Sequence, residues 1–391
     1  MSLKIAMVVP YFQPAWAYGG IPRLAYGLSR ALQLRGNELR VVTTDALDAH
    51  SRTSAGVEQH HGIEIHRLSN LSNQLAYQHQ LFLPRGAADA LEAAVSQADV
   101  VHLHGWWHLL NNYALSAAAR HQVPIVVTPN GTLLPLERKL AVKSLWHRFL
   151  GAPVQQAASR WIAVSRAEVN QFARAGIAAD RIHLIYNGLD LGEFEELPER
   201  GSFRRQEGLG DAPMLLYLGK LTPRKGVDHL IEALSRLQNP DARLIVAGND
   251  MGVRAGLEQR VRSLELGERV RFVGLVTGER RRSALADADV LVYPSSDEIF
   301  GLVPFEGLLA GTPAVVSDDC GCGELVAQAR AGELVRFGDS TALARSLDRL
   351  LADAERRRRM VSRGRAFIQR HFAWPRIALQ TESVYRVAIA D

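Results

Sequence analysis

Twice along its length the chain alternates short apolar runs with segments of helical periodicity, and that pattern restricts it to parallel sheets flanked by helices. In the first half, Lys4–Val9, Arg40–Thr44, Val100–His104, Ile125–Thr128, Trp161–Val164 and Ile182–Tyr186 read as strands. Helical patterns fall between them at Ile21–Arg35, Ala87–Gln97, Asn111–His121 and Ser165–Ala175. The second half repeats the scheme, with strands at Met214–Leu218, Ala242–Ala247, Val270–Phe272, Val290–Tyr293, Ala314–Ser317 and Gly332–Val335. Its helices are expected at Val227–Leu237, Arg254–Leu264, Gly278–Ala286, Pro304–Ala310, Ser340–Leu351 and Glu355–Gln369. Each βα series closes as a doubly wound sheet, and such sheets bind ligands beyond the carboxyl ends of their strands. At 391 residues, two domains are expected. The boundaries read from the sequence are residues 1–195, residues 196–372 and a closing helix at 373–391, with Leu191–Ala212 as a polar linker.

Composition narrows the class. A chain 47% hydrophobic and 22% charged, without low-complexity tracts, is an ordinary globular protein. No apolar run reaches the roughly 18 residues of a membrane span. The net charge of +5 is spread over both halves, so bulk nucleic-acid binding is not expected. Cys320 and Cys322, one residue apart, suit neither a long-loop disulfide nor a four-ligand zinc site, and read as small inert residues. A reducing, cytoplasmic setting is expected.

Residues 294–318 read PSSDEIFGLVPFEGLLAGTPAVVSD. On one continuous helix, Glu298 and Glu306 would point about 80° apart at roughly 12 Å separation. Gly301 and Pro304 oppose that picture. Pro304 suits a first helical turn and Gly311 a position just past the helix end. Glu298 is then expected in a loop and Glu306 in the first turn. The N–H groups of Gly301, Leu302 and Val303 would lie at a helix N-terminus, where a phosphate is favoured. Gly301, without a Cβ, lets a ligand approach the backbone.

This segment resembles the E-x7-E signature of retaining glycosyltransferases of the GT-B fold, specifically family 4. TPAVVSD and Gly323-Glu324-Leu325 resemble the same family's continuation. The resemblance implies two Rossmann-like domains facing a cleft, with a C-terminal helix crossing back to the first. It implies that Glu298 meets hydroxyls of a donor hexose and Glu306 the ribose of its nucleotide. Phe300 and the amides after Gly301 would meet the sugar and the distal phosphate. The implied reaction moves a hexose from a UDP- or GDP-sugar to a hydroxyl with retention, in surface polysaccharide or glycolipid assembly. No metal or other cofactor is implied.

Other motifs fit around that centre. In LYLGKLTPRKGV a strand ends at Gly219, and Lys220 and Lys225 flank a turn from which they could neutralise a diphosphate. The family usually has Arg where Lys220 stands; Lys keeps the charge without the bidentate fork. No Asp-x-Asp pair follows a strand, since Asp45 and Asp48 are wrongly spaced and Asp318 and Asp319 are adjacent. Gly19-Gly20 opens a helix after the first strand, where the family places a Gly-Gly pair facing the donor. His104, in LHGWWH, matches a histidine common in the family, while Trp106 and Trp107 suit either sugar stacking or packing. Asn130 stands where the family often carries histidine, and Asn cannot titrate near neutral pH.

Leu136–Leu150 mixes basic and apolar residues. That composition suits an anionic membrane surface or a lipid-linked acceptor, and equally an amphipathic helix with a basic outer face. The expected partners are therefore a nucleotide-sugar donor and a sugar or lipid-linked acceptor, with peripheral contact to the inner membrane face. Two alternatives stay open on the sequence: a sugar-nucleotide epimerase or hydrolase, and a catalytically silent nucleotide-sugar-binding protein.

Overall fold

The computed structural model describes residues 2–134 and 145–391, and its described residues form two compact units. The first comprises residues up to Gly188 together with Phe372–Asp391; the second is Leu189–His371.

The first unit contains β1 (Lys4–Val8), β2 (Glu38–Thr44), β3 (Gly56–His60), β4 (Ile63–Leu68), β5 (Val100–His104), β6 (Ile125–Thr128), β7 (Arg160–Ala163) and β8 (Ile182–Leu184). They pair in the order β3-β4-β2-β1-β5-β6-β7-β8. All neighbours are parallel except β3, an antiparallel edge strand on β4. This hairpin departs from the expected all-parallel sheet. Its turn uses His61 at φ 50° and Gly62 at φ 77°, the two positive values of a tight hairpin turn. The connections reverse direction between β1 and β5, which is the switch point of this sheet.

The last helix, Trp374–Ala390, belongs to this unit and packs on the Gly20–Leu34 helix. Trp374 explains two glycines: a Cβ at Gly27 or Gly188 would come within 2.2 or 2.3 Å of its ring. Arg35 and Asn37 both donate to Glu382, and Tyr385 Oη lies 2.6 Å from His102 Nδ1.

The second unit contains β9 (Met214–Leu218), β10 (Arg243–Ala247), β11 (Val270–Gly274), β12 (Val290–Tyr293), β13 (Ala314–Ser317) and β14 (Gly332–Val335), all parallel, in the order β11-β10-β9-β12-β13-β14. Both faces are covered by helices, so the strands are continuously apolar rather than alternating. The switch point lies between β9 and β12. The stretch expected as a linker is partly structured, with a helix at Ser202–Gln206 whose N-terminus is held by Asp287. Contacts put its beginning with the second unit, because Arg281 pairs with Glu193 there.

Candidate active site

Loops from the carboxyl ends of β9 and β12 meet at the second unit's switch point. Gly219–Gly226 follows β9 and Pro294–Gly301 follows β12. Ser296 N–H donates to Arg224 O at 2.8 Å, tying the two loops together. Gly226, at φ 63°, makes this approach feasible: a Cβ there would lie 2.3 Å from Pro294 O.

The tie brings Lys225 onto Glu298. Lys225 Nζ donates to Glu298 Oε2 and, at 2.6 Å, to Tyr293 Oη, and Tyr293 donates to that carboxylate at 3.0 Å. Burial works against ionisation of Glu298, but Lys225 and the Tyr293 hydroxyl outweigh it and hold the carboxyl below its ordinary range. Lys220 sits half-buried beside this pair. Burial lowers it, Lys225 lowers it further and Glu298 partly offsets both, leaving it at about 8. Its carbonyl accepts from Tyr217 Oη at 2.8 Å.

Gly301 caps the Leu302–Ala310 helix at φ 67°, and Gly311 ends it in the left-handed conformation. The N–H groups of Leu302 and Val303 stand in the first turn, beyond Glu298. Phe300 is buried and packs on Phe305 at 5.5 Å between ring centres. Gly321 N–H donates to Glu298 O at 2.6 Å, so the unforeseen Gly321–Ala329 helix fixes the same loop. Cys320 caps that helix through Sγ, and Cys322 lies under Gly301.

Glu306 departs from expectation. With the helix starting at Leu302 it is the fifth residue, beyond the first turn, and no acid lies in that turn. Its side chain is 7% exposed and pairs with buried Arg281 at 2.5 Å. The two acids thus have separate cationic partners. Gly219, Lys220, Lys225, Glu298, Phe300, Gly301, Leu302 and Val303 form one constellation, which the structure extends by Tyr293 on Lys225 and Glu298, while Arg281 stands apart on Glu306.

The remaining predicted residues lie in the first unit. Gly19 caps the Gly20–Leu34 helix at φ 105°, in the loop after β1. His104 ends β5, so both emerge at that unit's switch point. His104 is buried, and among the described residues neither ring nitrogen has a hydrogen-bond partner. Burial, then neighbouring His108, lowers it to about 3. At physiological pH it is a neutral imidazole. Trp106 is core, packed on Trp161 at 5.5 Å between ring centres. Asn130, at φ 53°, follows β6. Its loop is held by Glu168, fully buried, which accepts from Gly131 N–H at 2.6 Å and from Val164 N–H at 2.8 Å. Of the basic stretch Leu136–Leu150, residues 136–144 lie outside the described residues; Leu145 and Phe149 are exposed. Among the described residues no helix is long and apolar enough to cross a membrane.

Comparison with known proteins gives matches in both halves. The model for glycosyl transferases group 1 matches residues 199–367, and that for glycosyltransferase family 4 matches residues 18–193. A D-inositol 3-phosphate glycosyltransferase of Xylanimonas cellulosilytica is 33% identical, over 95% of this chain and 92% of its own. An alpha-maltose-1-phosphate synthase of Mycobacterium tuberculosis is 31% identical, over 78% of this chain and 83% of its own. Among solved structures, HepE of Anabaena in complex with UDP aligns with a TM-score of 0.78 at 22% identity, covering 98% of this chain and 100% of its own. At that identity the likeness is one of fold.

Proposed function

The chain belongs to glycosyltransferase family 4 and has the Rossmann-like domains of the GT-B fold, and from that premise we propose that it moves a hexose from a UDP- or GDP-sugar to a hydroxyl acceptor with retention. The observation that carries the proposal is the Lys225–Glu298–Tyr293 cluster beside the Gly301 helix start. It puts two lysines, a carboxylate held ionised and the amides of a helix N-terminus at one sheet switch point.

In this reading Lys220 and Lys225 meet the diphosphate, and the Gly301, Leu302 and Val303 amides meet its distal phosphate and the sugar. Gly219 and Phe300 shape the pocket wall. Glu298 accepts from hexose hydroxyls, and Glu306 from the ribose. Charge developing on the leaving diphosphate is stabilised by lysines and amides preorganised for it, which assigns that task to the protein rather than to a metal. In this reading no carboxylate acts as a nucleophile. The departing phosphate itself takes the acceptor proton on the face it leaves, which conserves the anomeric configuration.

The Gly19–Gly20 loop, His104 and Asn130 serve the acceptor-side domain. Neutral His104 and Asn130 act there as hydrogen-bonding groups. Acceptors to test include small phosphorylated polyols and sugars, given the names of the two relatives above, and lipid-linked sugars, given exposed Leu145 and Phe149 around Arg148. A peripheral membrane contact belongs with the lipid-linked case, as does a role in surface polysaccharide or glycolipid assembly.

A thermal-shift panel of UDP-, GDP- and ADP-sugars tests the donor assignment. A bound donor at 100 times its Kd adds about 2.7 kcal/mol of stability, a readily measured rise in Tm. Absence of any shift across the panel would remove the proposal.

A further inference from the structure

Glu306 is the one charged residue in the helix LVPFEGLLA, whose neighbours Pro304, Phe305, Gly307, Leu308, Leu309 and Ala310 are all buried. A buried carboxylate in such surroundings keeps one orientation only if a partner holds it. That partner is Arg281, whose own side chain is 4% exposed on the Gly278–Asp287 helix. Its Nη1 reaches Glu306 Oε2 at 2.5 Å and its Nη2 reaches Glu193 Oε1 at 2.5 Å. The Phe194 ring lies 5.7 Å from the guanidinium carbon. Arg282 Nη1 separately donates to Glu193 O at 3.1 Å. Planar, forked and always charged, an arginine can serve two carboxylates at once and fix both.

We infer that Arg281 is a positioning residue for nucleoside recognition: by holding one oxygen of Glu306 it directs the carboxylate to the ribose hydroxyls of the donor. The inference rests on Glu306 being the ribose acceptor. Glu193 is the second anchor, keeping the guanidinium from turning with Glu306 when that carboxylate takes a ligand.

The test measures binding of UDP and of 2′,3′-dideoxy-UDP to the full chain and to R281M, R281K and E193Q, with the GDP pair as second probe. The unmodified chain is expected to prefer the ribonucleotide by about 10-fold or more, the discrimination typical of a charged buried acceptor. R281M is expected to lose that preference, with UDP affinity falling to the dideoxy level while dideoxy-UDP binding stays put. R281K, which keeps the charge without the fork, is expected to fall between, and serves if R281M does not fold. E193Q leaves the Arg281–Glu306 contact and is expected to keep most of the preference. If the arginine variants keep the preference, or lose both nucleotides in equal measure, Arg281 only supports the fold and the inference is overturned. If the unmodified chain binds both forms alike, it is the ribose role of Glu306 that fails, and the inference with it.

Discussion

Lys225 and Glu298 form an ion pair that closes the loops after β9 and β12 on one another, with side chains only 13% and 24% exposed. Neither charge is solvated well enough to stand alone. Removing one partner of such a pair costs more than the pair itself contributes, because the other charge stays behind. Replacing Lys225 with methionine is therefore expected to lower the melting temperature and to reduce kcat/KM for the donor about 10- to 100-fold, the range of one or two charge-assisted contacts. Steady-state kinetics with a melting curve on the same preparation checks this. Unchanged kinetics would take Lys225 out of the donor site.

Lys220 gives a pH signature. Burial, followed by the like charge of Lys225, brings it down to about 8, so the unliganded protein loses this cation as pH rises through that value. Affinity for a nucleoside diphosphate is expected to weaken from pH 7 to 9 with a break near 8. K220R, charged throughout, should bind without that break. Parallel pH profiles for the two proteins would show that Lys220 does not meet the diphosphate.

Crowding at Gly301 separates backbone strain from site geometry. It has φ 67°, and an added Cβ would lie 3.1 Å from Cys322 Cβ and 3.2 Å from Glu298 Cγ. Gly86 has φ 69° with nothing within 4 Å. Both alanine variants bear the left-handed penalty of about 1–2 kcal/mol. Only G301A is expected to raise the donor KM as well, because its Cβ pushes on the loop bearing Glu298. Calorimetric melting and donor kinetics on the two variants check this; an equal, purely thermal effect would argue against it.

Glu168 supplies a stability prediction. Burial raises its carboxyl from 4.5 to about 7, against the opposing N–H donors of Val164 and Gly131. A raised folded-state value means stability fully present below about 4.5 and lost as pH climbs through about 7. The loss amounts to about 3 kcal/mol at 1.36 kcal/mol per unit. E168Q cannot titrate, so its stability relative to the unmodified chain should rise between about pH 5 and 8. Denaturant midpoints at several pH values measure this, and parallel curves would contradict it.

Much of this architecture is legible in the residues because fully buried parallel strands are apolar runs, and every run read as a strand forms one. What escaped had weaker local signals. β4 is a strict alternation, IEIHRL, and with the His61-Gly62 turn it marked a hairpin that a search for buried runs passes over. The Gly321–Ala329 helix starts with Gly-Cys-Gly, poor helix formers, and depends on the Cys320 cap and the sheet beneath it. In the candidate site, loop positions such as Lys225, Glu298 and Gly301 carried their own chemistry. Arg281 did not: in ERRRS it looks like any solvated arginine. Its spacing from buried Ala284 and Leu285 puts it on the apolar helix face, and that was the available signal. Tyr293 closed an apolar strand and gave no hint of the Glu298 contact.

The central claim is transfer with retention and without a metal, and the stereochemistry of the product formed in a chelator tests it most directly. Proton NMR of the newly formed glycoside, made with an α-linked nucleotide sugar and a chelator present, reads the anomeric configuration, which the acetal linkage keeps fixed. The account predicts an α-linked product formed at an undiminished rate; a β-linked product would contradict it.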